Sequence, residues 1–161
     1  MSYDQQFSAV PPDELVLDPE WLADFVWAAR ERSPEEHAAE IAYVIEKDHG
    51  FHARFYTDGV SIPEDEADVR TLPVFGGTVV FREDGEAPFV VMAPESVRRA
   101  ADYLAGVDFD ALWAVAGEKV RVIHWDAAED RAYRLDLHEG LTDFYGRAAA
   151  AGLAVVKAFW S

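Results

Sequence analysis

Near its C-terminal end the sequence changes period in one step, and this constrains the fold more than any other feature. Tyr133, Leu137, Leu141, Phe144, Tyr145, Ala148 and Ala149 fall on one helical stripe. Tyr133, Leu135 and Leu137 also alternate like a strand, but the helical pattern is longer and predicts a helix from about residue 131 to Ala151. Gly152 ends it. Leu153–Trp160 is then an apolar run of strand length, the pattern of a buried terminal strand.

The rest of the chain alternates in the same way between the two periods. Residues 3–9 place Tyr3, Phe7 and Ala9 opposite Asp4, Gln6 and Ser8, which reads as a half-buried strand ended by Pro11 and Pro12. Asp18 caps a helix with Pro19 in its first turn and Leu22, Phe25, Val26 and Ala29 inward, flanked by Trp21 and Trp27. Its acids come early and Arg30 and Arg32 come late, as the helix dipole favours. Residues 34–47 read equally as a continued helix or as a helix followed by a short strand. Asp58-Gly59 marks a turn, and 60–71 reads as an acidic surface loop. Thr78–Phe81 and Phe89–Met92 read as strands of a hairpin around Asp84-Gly85. Pro94 opens a helix with Val97, Ala100, Ala101 and Leu104 inward, stopped by Gly106. Asp108 caps a second, with Phe109, Leu112, Trp113 and Ala116 inward, stopped by Gly117. Val120–Trp125 is strand-like. The fold class expected is α+β, a small mixed or antiparallel sheet packed against several helices in a single domain over 1–161.

Composition agrees and narrows function. Half of the 161 residues are hydrophobic, enough for a packed core without staples. With no cysteine there is no disulfide, thiolate metal site or cysteine nucleophile. The opening MSYDQQFSAVPPDE has no basic residue and no apolar leader segment, and no apolar run reaches the ~18 residues of a membrane span. The expected location is the cytoplasm. Thirty-one acids against 14 bases give a net charge of −17, concentrated in residues 1–70. Such a field opposes nucleic acid and anionic lipid, and it reads either as a device for solubility alone or as an attraction for a basic protein.

Three blocks resemble one family. LTDFYGRAAAAGLAVVKAF (141–159) and FVVMAPESVRRAADYL (89–104) are similar to the C-terminal signature and to the strand followed by a Pro-Glu-led helix of the YfbM-like family, a bacterial family of unknown function. EKDHGFH (46–52) resembles a third block through Glu46, Lys47, Gly50 and His52, without the family's Trp. Where the family places a capping Thr or Ser before the helix, this chain has Ala93, so that helix should start less firmly by ~1 kcal/mol. The resemblance implies a single α+β domain and supplies no activity.

Chemistry-bearing motifs are sparse. His49 and His52, three apart beside Asp48 and Glu46, share a helical face, but no spacing supplies a third metal ligand, so neither a metal nor a cofactor is expected. His124-Trp125 at a strand end reads as a pocket wall or as core. His37 lies among Glu35, Glu36 and Glu40, which favour its protonated form. Gly76-Gly77 is a tight turn and not a phosphate loop, and no serine sits in G-x-S-x-G. Two readings follow. One is a non-catalytic acidic module that binds a basic protein, such as a toxin, through the helix near 18–32 and the acids of 58–68, with no nucleic-acid or membrane partner. The other is a small-molecule or enzymatic site where Glu46, Lys47, His49 and His52 meet His124 and Trp125. The sequence assigns no oligomeric state.

Overall fold

The structure, a computed structural model, describes residues 3–31, 41–59, 68–122 and 125–161. Its frame is five antiparallel strands: β1 (Asp4–Val10), β2 (Ala42–Ile45), β3 (Thr78–Val80), β4 (Phe89–Met92) and β5 (Ala154–Trp160). They lie in the order β2-β1-β5-β4-β3. The two seven-residue strands are central and pair along their whole length, from Asp4 opposite Trp160 to Val10 opposite Ala154. The terminal apolar run is therefore the buried strand its composition demands, with Ala154, Val155, Val156 and Ala158 all nearly inaccessible.

Both faces of the sheet are covered. On one lies α1 (Pro19–Arg30), begun by Asp18, whose carboxylate accepts the N–H groups of Glu20 and Trp21. Its Leu22 and Val26 pack on Phe89, Val91, Val156 and Ala158. The periodicity of residues 3–9 predicts a half-buried strand, but Gln6 and Ser8 on this face are buried too. They are accommodated by hydrogen bonds: Gln6 donates to Ser8 Oγ and to the Val26 carbonyl, and accepts from Trp160 Nε1 at 2.9 Å.

On the other face lie α2 (His49–Tyr56), α3 (Pro94–Gly106), α4 (Phe109–Ala116) and the long α5 (Ala127–Ala150). Phe7, Met92 and Val155 of the sheet meet Phe55, Leu104, Leu141 and Phe144 in the main core. Each such side chain contributes about 1.5–3 kcal/mol on burial. Ala93 makes no side-chain cap bond at the start of α3, as its methyl dictates. Gly140 of α5 lets β2 approach: a Cβ there would lie 2.5 Å from the Tyr43 ring. Lys157 of β5 also points into this core and donates to the carbonyls of Leu72 and Gly76 at 2.6 and 2.7 Å. Tyr145 donates to the Pro73 carbonyl and Gln5 to that of Val74, so three elements fix the loop 72–76. Burial holds the Lys157 amine well below the usual lysine range.

Two segments differ from expectation. The strand predicted over Val120–Trp125 is absent among its described residues. Gly117–Val120 is a 3-10 turn, and Arg121, Val122 and Trp125 are irregular. Two of the backbone groups a strand would pair are taken by α5: Asp130 accepts the Val122 N–H, and Arg134 reaches the Val120 carbonyl. Accordingly α5 begins at Ala127, four residues before the predicted start, on a reciprocal capping box between Asp126 and Glu129. Of the ambiguous 34–47 segment, Ala42–Ile45 is strand, and 34–40 with His37 lies outside the described residues. The predicted acidic loop lies outside them over 60–67, and its end, Val69–Thr71, is a 3-10 turn.

Candidate functional site

Where α2 crosses α5, the fold buries six groups of the kind that carry chemistry. Asp130, Arg134 and His138 stand four residues apart on α5 and so form one stripe. Asp48, at the N-terminus of α2, and His52 and Tyr56, within it, face that stripe. Arg134 is fully buried, and its guanidinium bonds the Asp48 carboxylate at 2.5 Å and lies 3.6 Å from Asp130. Removal from water raises the Asp48 carboxyl above its usual range, and the Arg134 charge opposes that rise.

One turn along, Tyr56 Oη sits 3.1 Å from His52 Nε2 and 3.0 Å from His138 Nδ1. The phenol has one proton, so it donates to one ring and accepts from the other. His52 Nδ1 is buried without a hydrogen-bond partner. Placing the His52 proton on Nε2 leaves a lone pair there and no orphaned N–H, so His52 donates to Tyr56 and Tyr56 donates to His138. Burial lowers both imidazoles below their usual value, His52 most, with Arg134 and His138 adding to the effect there. The cluster is thus a neutral relay beside one buried guanidinium and two carboxylates. Tyr56 also lines a groove of about 340 Å³ with Tyr103, Arg70 and Leu112. Arg70 there is held by Asp68 at 2.7 Å and faces Asp58 at 3.8 Å.

Of the six residues singled out in the sequence, the five described do not gather in one pocket. Glu46 and Lys47 are exposed in the link between β2 and α2, with Lys47 at φ 58°. His49 turns to the sheet, its ring 5.6 Å from Phe75 and 5.4 Å from Phe159. Burial lowers its pKa against an opposing backbone hydrogen bond to Tyr3. His52 turns the other way, into the relay. Trp125, 37% exposed, stands edge-on to Tyr133 before α5, and His124 lies outside the described residues. The partners His52 does have, Tyr56 and His138, carried no motif. The signal that marks His138 is the polar i, i+4, i+8 stripe Asp130-Arg134-His138 inside an otherwise apolar helix face. No group of three or more potential metal ligands gathers among the described residues.

The opposite side of the molecule is different in character. The turn before α1 and α1 itself expose Asp13, Glu14, Asp18, Glu20, Asp24 and Glu31, and the loop 81–88 exposes Glu83, Asp84 and Glu86. Arg30 and Arg82 are the only bases in these stretches. Val16 and Leu17, 46% and 60% exposed, lie among the acids. A groove of about 320 Å³ separates the start of α1 from the loop.

Fold and burial together define an α+β domain: a five-stranded antiparallel sheet, helix-covered on both faces, with a sealed polar brace on one side and an acidic grooved face on the other. The chain belongs to the domain of unknown function family DUF1877, whose model matches residues 8–157. Its fold is similar to the crystal structure of YfbM from Escherichia coli, a protein of unknown function. That likeness has a TM-score of 0.63 at 12% identity and covers 98% of this chain and 99% of that one. No curated protein matches. No described helix is long and apolar enough to cross a membrane.

Proposed function

We propose that this protein is a non-catalytic binding module that takes up a basic protein on the face formed by α1 and the loop 81–88, and neutralises it by covering its cationic surface. The observation that carries this reading is the concentration of nine exposed acids against two bases around an exposed apolar pair and a groove. Dispersed acidity serves solubility alone, whereas acids ringing apolar residues and a concavity have the anatomy of an interface, with a central anchor and a charged rim. The acids near residue 58 contribute less, since Asp58 and Asp68 both face Arg70.

The test is native mass spectrometry of the tagged protein recovered from its source cells at low ionic strength. The reading expects a basic protein that is retained by wild type and lost from the quadruple variant Asp13→Asn, Glu14→Gln, Glu20→Gln, Asp24→Asn. That partner stays bound to a control carrying Asp102→Asn, Asp136→Asn, Glu139→Gln and Asp143→Asn on α3 and α5. Equal loss from both would make the effect one of net charge and refute an interface on α1.

A second reading keeps a small-molecule site near His52, supported by Tyr56, which touches both the relay and the groove beside Tyr103. It expects fragments detected by ligand-observed NMR to shift the His52 and His138 ring signals. Fragments that leave both rings unmoved would remove it.

A further inference from the structure

We infer that α1, the loop 81–88 and the end of β5 form one groove built for an extended peptide segment carrying a cationic side chain and, a few residues away, an aromatic one. This rests on the binding reading above and adds the place and chemistry of the contact. Two cavities meet at Arg82 and Asp84. One, of about 320 Å³, lies between Asp18 and Glu20 of α1 and Glu83 of the loop. The other, of about 640 Å³, lies between Trp27 and Arg30 of α1 and Trp160 of β5, with Glu86 on the far wall.

The first end is a cation site by subtraction. Arg82 is its only base, and that charge is taken by Asp84, with the guanidinium 5.0 Å from the Phe89 ring. Asp18 spends part of its charge on the N–H groups of Glu20 and Trp21. Glu20 and Glu83 make no described ion pair, and both line the groove. A lysine or arginine head between them gains two carboxylates at once, and a phosphate or nucleic-acid ligand is repelled.

The second end is a preformed aromatic platform. Trp160 is fixed by its hydrogen bond to Gln6, and Arg30 stacks on it 4.8 Å from the ring centre. Trp27 stands 5.7 Å from Trp160 and remains 50% exposed. An exposed indole braced by a locked one offers apolar area with little side-chain entropy to lose. Arg30 pairs with no carboxylate among the described residues, so its N–H groups are free to donate to peptide carbonyls. An extended segment advances ~3.3 Å per residue, so side chains a few residues apart in it can occupy adjoining cavities.

The experiment is selection of a random twelve-residue peptide library on the full chain, followed by affinities of the synthesised winners for three proteins. These are wild type, Trp27→Ala and the double variant Glu20→Lys, Glu83→Lys, each first checked for an unchanged melting temperature. The inference expects winners that pair Lys or Arg with Trp, Tyr or Phe, and that weaken at least about tenfold on each variant. Winners that weaken on the charge reversal and in salt, yet bind Trp27→Ala as wild type, would overturn the groove and leave the acidic-face reading intact. Winners without basic enrichment, winners indifferent to salt, or no winners at all would overturn both.

Discussion

Replacing Arg134 by Met is the most severe single change this fold predicts. The guanidinium is fully buried and compensates Asp48 at 2.5 Å and Asp130 at 3.6 Å. A methionine fills similar space but leaves two carboxylates out of water with no cation. Removing one partner of a buried pair costs about 3–5 kcal/mol. For a chain of this size each kcal/mol lowers the melting temperature by about 2–4 °C, so the expected fall is roughly 6–20 °C. Calorimetry and urea unfolding at neutral pH measure it. The triple variant Asp48→Asn, Asp130→Asn, Arg134→Met separates charge from shape: with no charge left to strand, it should recover more than half of the loss. A cost below about 1 kcal/mol for Arg134→Met, or a triple variant no better than the single one, would refute the claim that this cluster is a brace held by the buried guanidinium.

Three further outcomes follow from the same geometry. His52 and His138 are held neutral by burial, so their folded pKa values lie below the unfolded value of about 6.5. Stability is then complete above that value and is lost as pH falls through it, because the unfolded chain binds the protons; urea midpoints should drop between about pH 7.5 and 5.5, and less so in His52→Leu. Gly140→Ala drives a methyl to within 2.5 Å of the Tyr43 ring and should cost about 1–3 kcal/mol in urea unfolding, whereas Gly146→Ala, with open space around it, should not destabilise. Ala93→Ser supplies the missing cap of α3 at an already extended residue and should raise stability by about 1 kcal/mol in the same assay.

Local rules were legible where one signal dominated. Asp18, Asp108 and Pro94 start helices as their capping chemistry requires, and Asp84-Gly85 lies in the loop of the β3–β4 hairpin. The Val120–Trp125 segment misled because its apolar residues satisfy strand spacing, while the Val120 carbonyl and Val122 N–H are taken by side chains of a helix further along the chain. Lys157 sits in an apolar run as the one residue whose burial depends on carbonyls some 80 residues away, which no local pattern encodes. The candidate site was half visible. His52 stood out through its neighbours in sequence, yet its hydrogen-bond partner is Tyr56 one turn on, which links it to His138 of α5, and helical adjacency of Asp130, Arg134 and His138 is masked by the apolar stripe beside them. The acidity of the α1 segment was plain in the sequence, but its gathering with Glu83 and Glu86 around two grooves depends on how the hairpin loop folds over α1.

The central claim is that the α1 face captures its partner electrostatically, and the association rate measures this most directly. Stopped-flow mixing of the co-purified basic partner with wild type, from about 20 to 500 mM salt, should show a rate falling at least about tenfold, with a much flatter response in the Asp13, Glu14, Glu20, Asp24 quadruple variant. A rate that is flat in salt for wild type, or equally steep in both proteins, would contradict it.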